Sequence, residues 1–422
     1  MDPDFARFAA AKQAQVREFA ASNTVPSMVW SYFDAVRVDD WQTATNLASQ
    51  LHNASGRYED APANNRISAP LLTVIWAPIN EMIGASGEFH NWDSQWLHRF
   101  GREIIDSIPR GSIYFGGTDP GRFIISALSE SHREGKPFFT LTQNQLADEA
   151  YLGYLRKIYG AKLYIPTLED AQGAFAKYVA DAQQRRQDGK LRPGEDVRVV
   201  GDQVSVSGQA AVMAINALLV KTIVDKNPTR DFFLEESFPL DWTDPYLTPH
   251  GLIFQLHPKS LKELSADVIE KDQVYWKRMT AEMIGDWMTK QTSTKELCDF
   301  ADKIYLDKNL EGFKGSRGFA KDQEAQKCFS KLRCSIGGLY LWRSENTRDA
   351  EDQKNMQRAA EMAYRQAYAL CPYSPEALFR YIRLLTDLKR PDDAFLLAKT
   401  SLRLDPKNEA FKQLVRQLNE AH

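Results

Sequence analysis

Residues 113–123, with the sequence IYFGGTDPGRF, constrain the fold of this chain more than any other stretch. A short apolar run leads into two glycines and then into Thr, Asp and Pro, an order typical of a buried strand, a tight turn and a helix start. Asp119 is the predicted N-cap and Pro120 suits the first helical position. This pattern predicts an open α/β sheet, in which ligands bind at the carboxyl ends of the strands.

The flanking sequence alternates between strand and helix signals. Strands are predicted at 112–115, 137–141, 162–165, 231–234 and 252–256, and a hairpin at 197–200 and 204–207. Helices are predicted at 120–131, 145–159, 169–185 and 209–224, the last apolar nearly all round and therefore central and buried. This alternation predicts a Rossmann-like, mainly parallel sheet flanked by helices.

The 422 residues are too many for a single core, so several domains are expected. We predict an N-terminal helical region at 1–58, containing a helical hairpin, and an α/β Rossmann-like domain at 59–262. A helical connector at 263–330 and a repeat domain at 331–422 follow. Within these regions, the polar stretch 53–68 is predicted as a linker and the glycine-containing stretch 306–326 as a loop or lid-like segment.

The C-terminal region repeats with a period of 34 residues. Pro372 and Pro406 are one period apart, as are Ala360 and Ala394. Residues 375–408 resemble one tetratricopeptide unit, the preceding unit would begin with a helix at 331–342, and residues 411–422 would cap the array. Stacked units leave a concave face that binds protein partners. The alternative is that two units only brace the α/β core.

Composition excludes several classes of function. The net charge is -3 and basic residues are scattered among acidic ones, so nucleic acid is not a predicted partner. The four cysteines form no CxxC motif, so no metal site is predicted, and Cys328 and Cys334 are expected as buried thiols rather than a bridge. No cofactor is predicted, because the chain lacks GxSxG, HExxH and Walker motifs.

The sequence also predicts no membrane span, since no apolar run reaches about 18 residues. The N-terminal residues have neither the basic start nor the apolar core of a signal peptide. We therefore expect a soluble protein that is cytoplasmic by default, or extracytoplasmic if an anchor or signal has been removed.

Two loops are the candidate ligand-binding site. Gly116, Gly117, Thr118, Asp119 and Arg122 could contact a phosphate-bearing or sugar-like ligand through backbone amides and the guanidinium. The alternative is a turn that only closes a capped helix. Gln143 and Asn144 follow the second strand and should lie on the same sheet edge, where amides could bind a sugar or base. Asn144 could equally cap the next helix.

Three further residues are catalytic candidates. Glu235 and Glu236 end a later strand, where a carboxylate could act as acid or base, although adjacent strand residues point to opposite faces. His250 lies in a predicted loop rich in proline and aromatic residues. A histidine bonded to backbone is the alternative.

Four segments carry a resemblance: GSIYFGGTDPGRF, PFFTLTQNQLADEAYLGYLRKIYG, FFLEES and PYLTPHGLIFQLHP. They resemble the soluble α/β domain of uncharacterised bacterial proteins of Verrucomicrobia type that carry tetratricopeptide repeats. The order of these segments is similar to the extracytoplasmic part of a bacterial membrane family related to protein O-mannosyltransferases. The resemblance implies a domain that holds a glycan, a lipid-linked sugar or a protein acceptor at residues 116–122, 143–144 and 250. That family's transmembrane helices have no counterpart here.

Three functional hypotheses follow. The first is a binding or scaffold protein with an α/β ligand cleft and protein-binding repeats, linked to glycan or glycoprotein assembly. The second is a transferase or hydrolase acting on a sugar-containing substrate, with Glu235 or Glu236 and His250 as acid and base. The third is a purely structural assembly protein.

Overall fold

A computed structural model describes residues 1–55, 67–192, 194–200, 203–236, 238, 240 and 242–420. Contacts divide the chain into two compact units. The first unit comprises Met1–Asn91 and Ile108–Thr243, and the second comprises Trp92–Ser107 and Asp244–His422. Most of the predicted linker at 53–68 and the tip of the predicted hairpin lie outside the described residues.

Helices dominate the described part of the chain. The α-helices are, in chain order, α1 (Pro3–Ala20), α2 (Ser27–Arg37), α3 (Trp41–Ala54), α4 (Ala69–Asn91), α5 (Ser94–Ile105), α6 (Asp119–Leu128), α7 (Ser131–Glu134), α8 (Glu149–Tyr159), α9 (Leu168–Gln187), α10 (Gln209–Lys226), α11 (Ala266–Ile284), α12 (Thr294–Ala301), α13 (Gln323–Asn346), α14 (Ala350–Leu370), α15 (Pro375–Asp387), α16 (Pro391–Leu404) and α17 (Glu409–Glu420). The strands are β1 (Ile113–Gly116), β2 (Phe139–Thr142), β3 (Asp196–Val200), β4 (Gln203–Ser207), β5 (Phe232–Leu234), β6 (Leu247–His250) and β7 (Ile253–Leu256).

Three strands of the first unit are parallel. β1 pairs with β2 and with β5, and Phe115 lies opposite both Leu141 and Leu234. All three side chains are buried, as expected for a strand covered on both faces. The predicted common direction of these strands is therefore confirmed.

The remaining strands correct the prediction of a mainly parallel sheet. β3 and β4 form the predicted antiparallel hairpin. β6 pairs antiparallel with β7 in the second unit, where the sequence predicted a loop followed by a single strand. Parallel pairing is thus established for three strands of the first unit, and the chain belongs to the mixed α/β class with many helices.

Residues 162–165 do not form the predicted strand. The backbone groups of Tyr164 that a neighbouring strand would pair are taken by the side chain of Asn227. The Tyr164 amide donates to Asn227 Oδ1 at 3.0 Å, and Asn227 Nδ2 donates to the Tyr164 carbonyl at 3.1 Å. A side chain distant in sequence therefore takes the place of the hydrogen bonds that a neighbouring strand would make. The local sequence pattern does not contain this contact, and for that reason it wrongly predicted a strand.

α10 is less buried than its apolar sequence predicted. Leu219, Val220 and Ile223 are fully buried, but Val212 near the start of the helix is 49% exposed. The hairpin covers only part of the helix, with Val197 in a small core beside α9.

The N-terminal helix α1 is fixed by a buried polar cluster. Lys12 is fully buried and its ammonium donates to Tyr154 on α8 at 2.9 Å and to Gln15 at 3.0 Å. It also forms an ion pair with Glu81 on α4. Burial lowers the pKa of Lys12, and the nearby Glu81 carboxylate opposes that shift. The Gln15 amide donates to the His132 carbonyl, which extends the cluster towards α7.

In the second unit, α13 to α17 pack in chain order, each against the next. Short connections join them, as in helical repeats. Pro372 and Pro406 each lie two residues beyond the end of a helix, α14 and α16, and this spacing is the origin of the 34-residue period.

The predicted lid-like segment at 306–326 is packed against its own unit. The Ser316 amide donates to the Met283 carbonyl at 3.0 Å, at the end of α11. Phe319 is fully buried against Trp96 and Phe329. These contacts attach the segment to α5, α11 and α13.

Candidate functional site

The parallel strands deliver their following residues to one edge of the sheet. Gly117 follows β1, Gln143 follows β2 and Glu235 follows β5. These strands run in the same direction, and Phe115 lies opposite both Leu141 and Leu234. The predicted shared edge is therefore present in the first unit.

Thr118, rather than Asp119, caps α6. The Thr118 hydroxyl accepts a hydrogen bond from the Gly121 amide at 3.0 Å, and Asp119 is the first helical residue. Asp119 is exposed and its carboxylate accepts from Nε of Arg122 at 3.1 Å. The predicted cap was therefore wrong by one residue, and the two charged candidates of this loop pair with each other.

Glu235 occupies the amides of the glycine turn. Its Oε2 accepts hydrogen bonds from the backbone amides of Gly117 and Thr118, each at 2.7 Å. The Thr118 hydroxyl donates to Oε1. Glu235 is fully buried, so a carboxylate of the chain itself lies where an external anion was predicted.

Gly116 and Gly121 of this turn are required by close approach. A Cβ added at Gly121 would lie 1.9 Å from Oε2 of Glu235, and one at Gly116 would lie 2.8 Å from the Gly121 carbonyl oxygen. The GGTDPG sequence thus fits a turn wrapped around a buried carboxylate. The Arg122 guanidinium lies 4.3 Å from the centroid of the Phe123 ring as well as beside Asp119.

Gln143 and Asn144 form part of a short 3₁₀ turn after β2. Gln143 is fully buried and its amide donates to the Phe238 carbonyl at 3.5 Å. Asn144 is exposed, and its carbonyl accepts from Asn216 at 3.4 Å. Asn216 on α10 also accepts from the Ala147 amide at 2.8 Å, so it holds the turn in place. The sequence analysis did not single out Asn216.

Glu236 and His250 lie in different units. Glu236 follows Glu235 in the first unit and is half-buried. His250 is the last residue of β6 in the second unit, rather than a loop residue. Its Nε2 donates to the Ser107 carbonyl at 2.9 Å, which is the backbone-bonded arrangement that the sequence left as the alternative.

The second unit contains a groove that the sequence analysis did not predict. A cavity of about 580 Å³ lies between α11 and α14 and is also lined by the segment after α11. The apolar part of its lining includes Val274, Ala281, Met288 and Met362. This volume is within the range of ligand-binding clefts.

A second cavity of about 340 Å³ shares Gln273, Lys290 and Met362 with the first. Its remaining lining is Arg358, Glu361 and Arg365 of α14. The two cavities are therefore adjoining parts of one surface depression, here called the α11–α14 groove.

One wall of the α11–α14 groove is braced by Arg365. Its guanidinium donates to the Lys290 carbonyl at 3.0 Å, to Glu361 at 2.7 Å and to the Tyr381 hydroxyl at 3.2 Å. These bonds connect α14 to the segment after α11 and to α15. The wall is thus formed by side chains already held by the fold.

A buried ion pair lies at the base of the groove. Nη1 of Arg333 donates to both carboxylate oxygens of Asp272, at 2.8 and 3.0 Å, and its Nε donates to Gln366 at 2.7 Å. The Tyr340 hydroxyl donates to the same carboxylate at 2.9 Å. Burial, with the Asp272 charge, raises the pKa of Tyr340 well above its usual value, so this hydroxyl stays a donor.

The signal for the groove was present in the sequence but weak. Trp276, Met279 and Met283 recur at helical spacing, which is typical of packing residues, and all three are buried. Val274 lies out of phase with that stripe and is 62% exposed, which is unusual for an aliphatic residue on a polar helix face. Finding the groove also requires knowing that α14 packs beside α11, which the spacing of apolar residues does not reveal.

None of the described helices has both the length and the apolar character needed to cross a membrane. Comparisons of the chain with family models, with curated proteins and with solved structures give no match.

Proposed function

We propose that this chain is a non-catalytic binding or scaffold protein whose second unit holds a segment of a partner protein in the α11–α14 groove. The observation that carries the proposal is the groove itself, an open depression whose lining includes apolar side chains and whose wall is braced by Arg365. Such a surface suits a ligand with apolar side chains and needs no loop closure to form.

The proposal includes a finer description of the fold. We assign α13 to α16 as two tetratricopeptide units and α17 as the capping helix, on the basis of the 34-residue period and the consecutive packing. In the first unit, the three parallel strands and their helices are assigned as a Rossmann-like core. The proposed partner segment binds beside α14, the second helix of the first repeat.

The sheet edge of the first unit is a weaker choice for the ligand site. Its two turn amides and the Thr118 hydroxyl are bonded to Glu235, so an added phosphate would have to displace that side chain from these donors. Glu235 is equally unsuited to acid–base work while it accepts these three hydrogen bonds. The link to glycan assembly stays a prediction from the resemblance.

Filling the groove tests the proposal. Random peptides displayed on phage would be selected on the wild type, and the enriched peptides measured by fluorescence anisotropy. Ala281→Trp and Met362→Trp place an indole in the groove and should weaken binding at least tenfold. Lys354→Trp, on an exposed position of α14 outside the groove lining, is the matched control and should bind like the wild type. Enriched peptides that bind both filled variants with unchanged affinity would contradict the proposal.

A further inference from the structure

We infer that the partner segment is acidic: it places a carboxylate at the Lys290–Arg358 end of the α11–α14 groove and an apolar side chain between Val274 and Met362. This inference rests on the proposed function and names the chemistry of the ligand.

The groove has room for a short peptide. Its lining runs along α11 from Glu270 to Ala281, eleven positions apart. At 1.5 Å per helical residue this is about 16 Å. An extended chain of about five residues has the same length. A binding surface of this length favours a peptide segment over a compact small molecule.

The charges at one end of the groove favour a carboxylate. The smaller cavity is lined by Lys290, Arg358 and Arg365 and by one acidic residue, Glu361. Glu361 is already shared by two guanidiniums, those of Arg365 and Arg390. The side chains of Lys290 and Arg358 form no ion pair with any residue that the structure describes. An incoming carboxylate would therefore meet two cations that are not already paired with a carboxylate among the described residues.

The carboxylates that line the larger cavity argue against a continuous polyanion. Glu270 and Asp286 line the larger cavity together with Lys277 and are exposed. A nucleic-acid strand would bring phosphates against these carboxylates along its whole length. An acidic side chain followed by an apolar one avoids that repulsion, because only the Lys290–Arg358 end then receives negative charge.

The apolar requirement follows from exposed hydrophobic area within the groove. Val274 is 62% exposed and Met362 is partly exposed, and both line the larger cavity. Burying such side chains against a ligand is favourable, and the flexible Met side chain can adapt to a leucine or phenylalanine of the partner.

A charge-matched pair of peptide libraries tests the inference. Fluorescein-labelled octapeptides would contain randomised Leu or Phe at two positions and either Glu or Gln at three others. We expect the Glu library to bind at least tenfold tighter at low salt, and the advantage to shrink between 50 and about 500 mM NaCl, where screening is strong. Lys290→Ala/Arg358→Ala should remove the advantage of Glu over Gln. Lys271→Ala/Lys354→Ala removes two other exposed cations, one on α11 and one on α14, and should retain it.

The outcomes separate the inference from the function on which it rests. Equal binding of both libraries to the wild type, abolished by Met362→Trp, would overturn the acidic preference and leave the groove as the binding site. Binding of neither library, together with unaltered phage selection on the filled variants, would overturn both. A Glu preference that survives Lys290→Ala/Arg358→Ala would also overturn the inference.

Discussion

The carboxylate of Glu235 fits against Gly121 so closely that a methyl group on that glycine would lie 1.9 Å from Oε2. The first turn of α6 and the residue after β5 are thereby matched in shape as well as in hydrogen bonding. A contact between positions so distant in sequence ties the glycine turn to the end of the sheet.

Gly121→Ala should therefore destabilise the first unit through overpacking, by about 1–3 kcal/mol. In a Glu235→Ala background the added methyl meets no carboxylate, so Gly121→Ala should lower the free energy of unfolding by less than it does in the wild type. The losses caused by the two single substitutions should therefore not add up to the loss in the double variant. Chemical denaturation of the four variants of this cycle measures the coupling. Gly173→Ala, on an exposed position of α9 with no atom within 4 Å of the added methyl, is the control. It should stabilise slightly, by about 0.5–1 kcal/mol. Strictly additive effects would contradict the packing argument.

Because the Arg333–Asp272 pair is buried, we expect a single substitution in it to lower the free energy of unfolding much more than a double substitution. Asp272→Ala leaves a buried guanidinium without its carboxylate and should cost about 3–5 kcal/mol of unfolding free energy. Arg333→Met/Asp272→Leu removes both charges and should recover most of that loss. Urea denaturation followed by circular dichroism compares them. A double variant no more stable than Asp272→Ala would show that the pair is not the origin of the effect.

Because His132 is buried, we expect the protein to lose stability on acidification. Its Nδ1 donates towards the Ser126 carbonyl at 2.8 Å, and its Nε2 is buried without a hydrogen-bond partner among the described residues. Burial, with the nearby Lys12 charge, lowers the pKa of His132 well below 6.5. The unfolded chain therefore takes up this proton first, and stability falls as the pH drops below about 6.5.

Comparison with His132→Gln isolates this contribution. Between pH 7.5 and 5.5 the wild type should lose about 1 kcal/mol more than the variant, because the carboxylates common to both proteins cancel. Denaturation curves at the two pH values give the difference. Parallel losses in the two proteins would exclude His132 as the titrating group.

The cysteines should be unreactive in the folded protein. All four are buried thiols that form no disulfide, as predicted for Cys328 and Cys334. Burial raises the pKa of Cys298 to about 11 and that of Cys371 to about 12. Ellman's reagent at pH 8 should therefore modify none of the four within minutes and all four after denaturation. Lys354→Cys, which adds an exposed thiol on α14, should react at once and serves as the positive control. Rapid reaction of the unmodified chain would contradict the predicted burial.

Local sequence was enough to predict where the parallel strands end. Phe115, Leu141 and Leu234 each close a short apolar run before polar or glycine residues, and those signals need no knowledge of the rest of the chain. The N-cap of α6 was misplaced because Thr118 and Asp119 are both good caps. The choice between them involves Glu235, whose carboxylate accepts from the Thr118 hydroxyl, and that contact spans more than a hundred residues.

Features built from distant segments could not be predicted in the same way. The side chain of Asn227 replaces a strand at Tyr164, and no periodicity near Tyr164 reveals it. The α11–α14 groove depends on Val274 and Met362 lying side by side, although they are far apart in sequence. The sequence predicted a loop at His250 because Pro249 disfavours a strand. In the structure β6 includes both residues, with Pro249 opposite Phe254 and His250 opposite Ile253.

Because Arg365 fastens the segment after α11 to α14 and α15, that wall of the groove loses its conformational freedom when the chain folds and not when a partner arrives. An incoming peptide would have to order only itself. Association should then require little rearrangement of this chain. Differences in affinity among partners should therefore appear mainly in their dissociation rates.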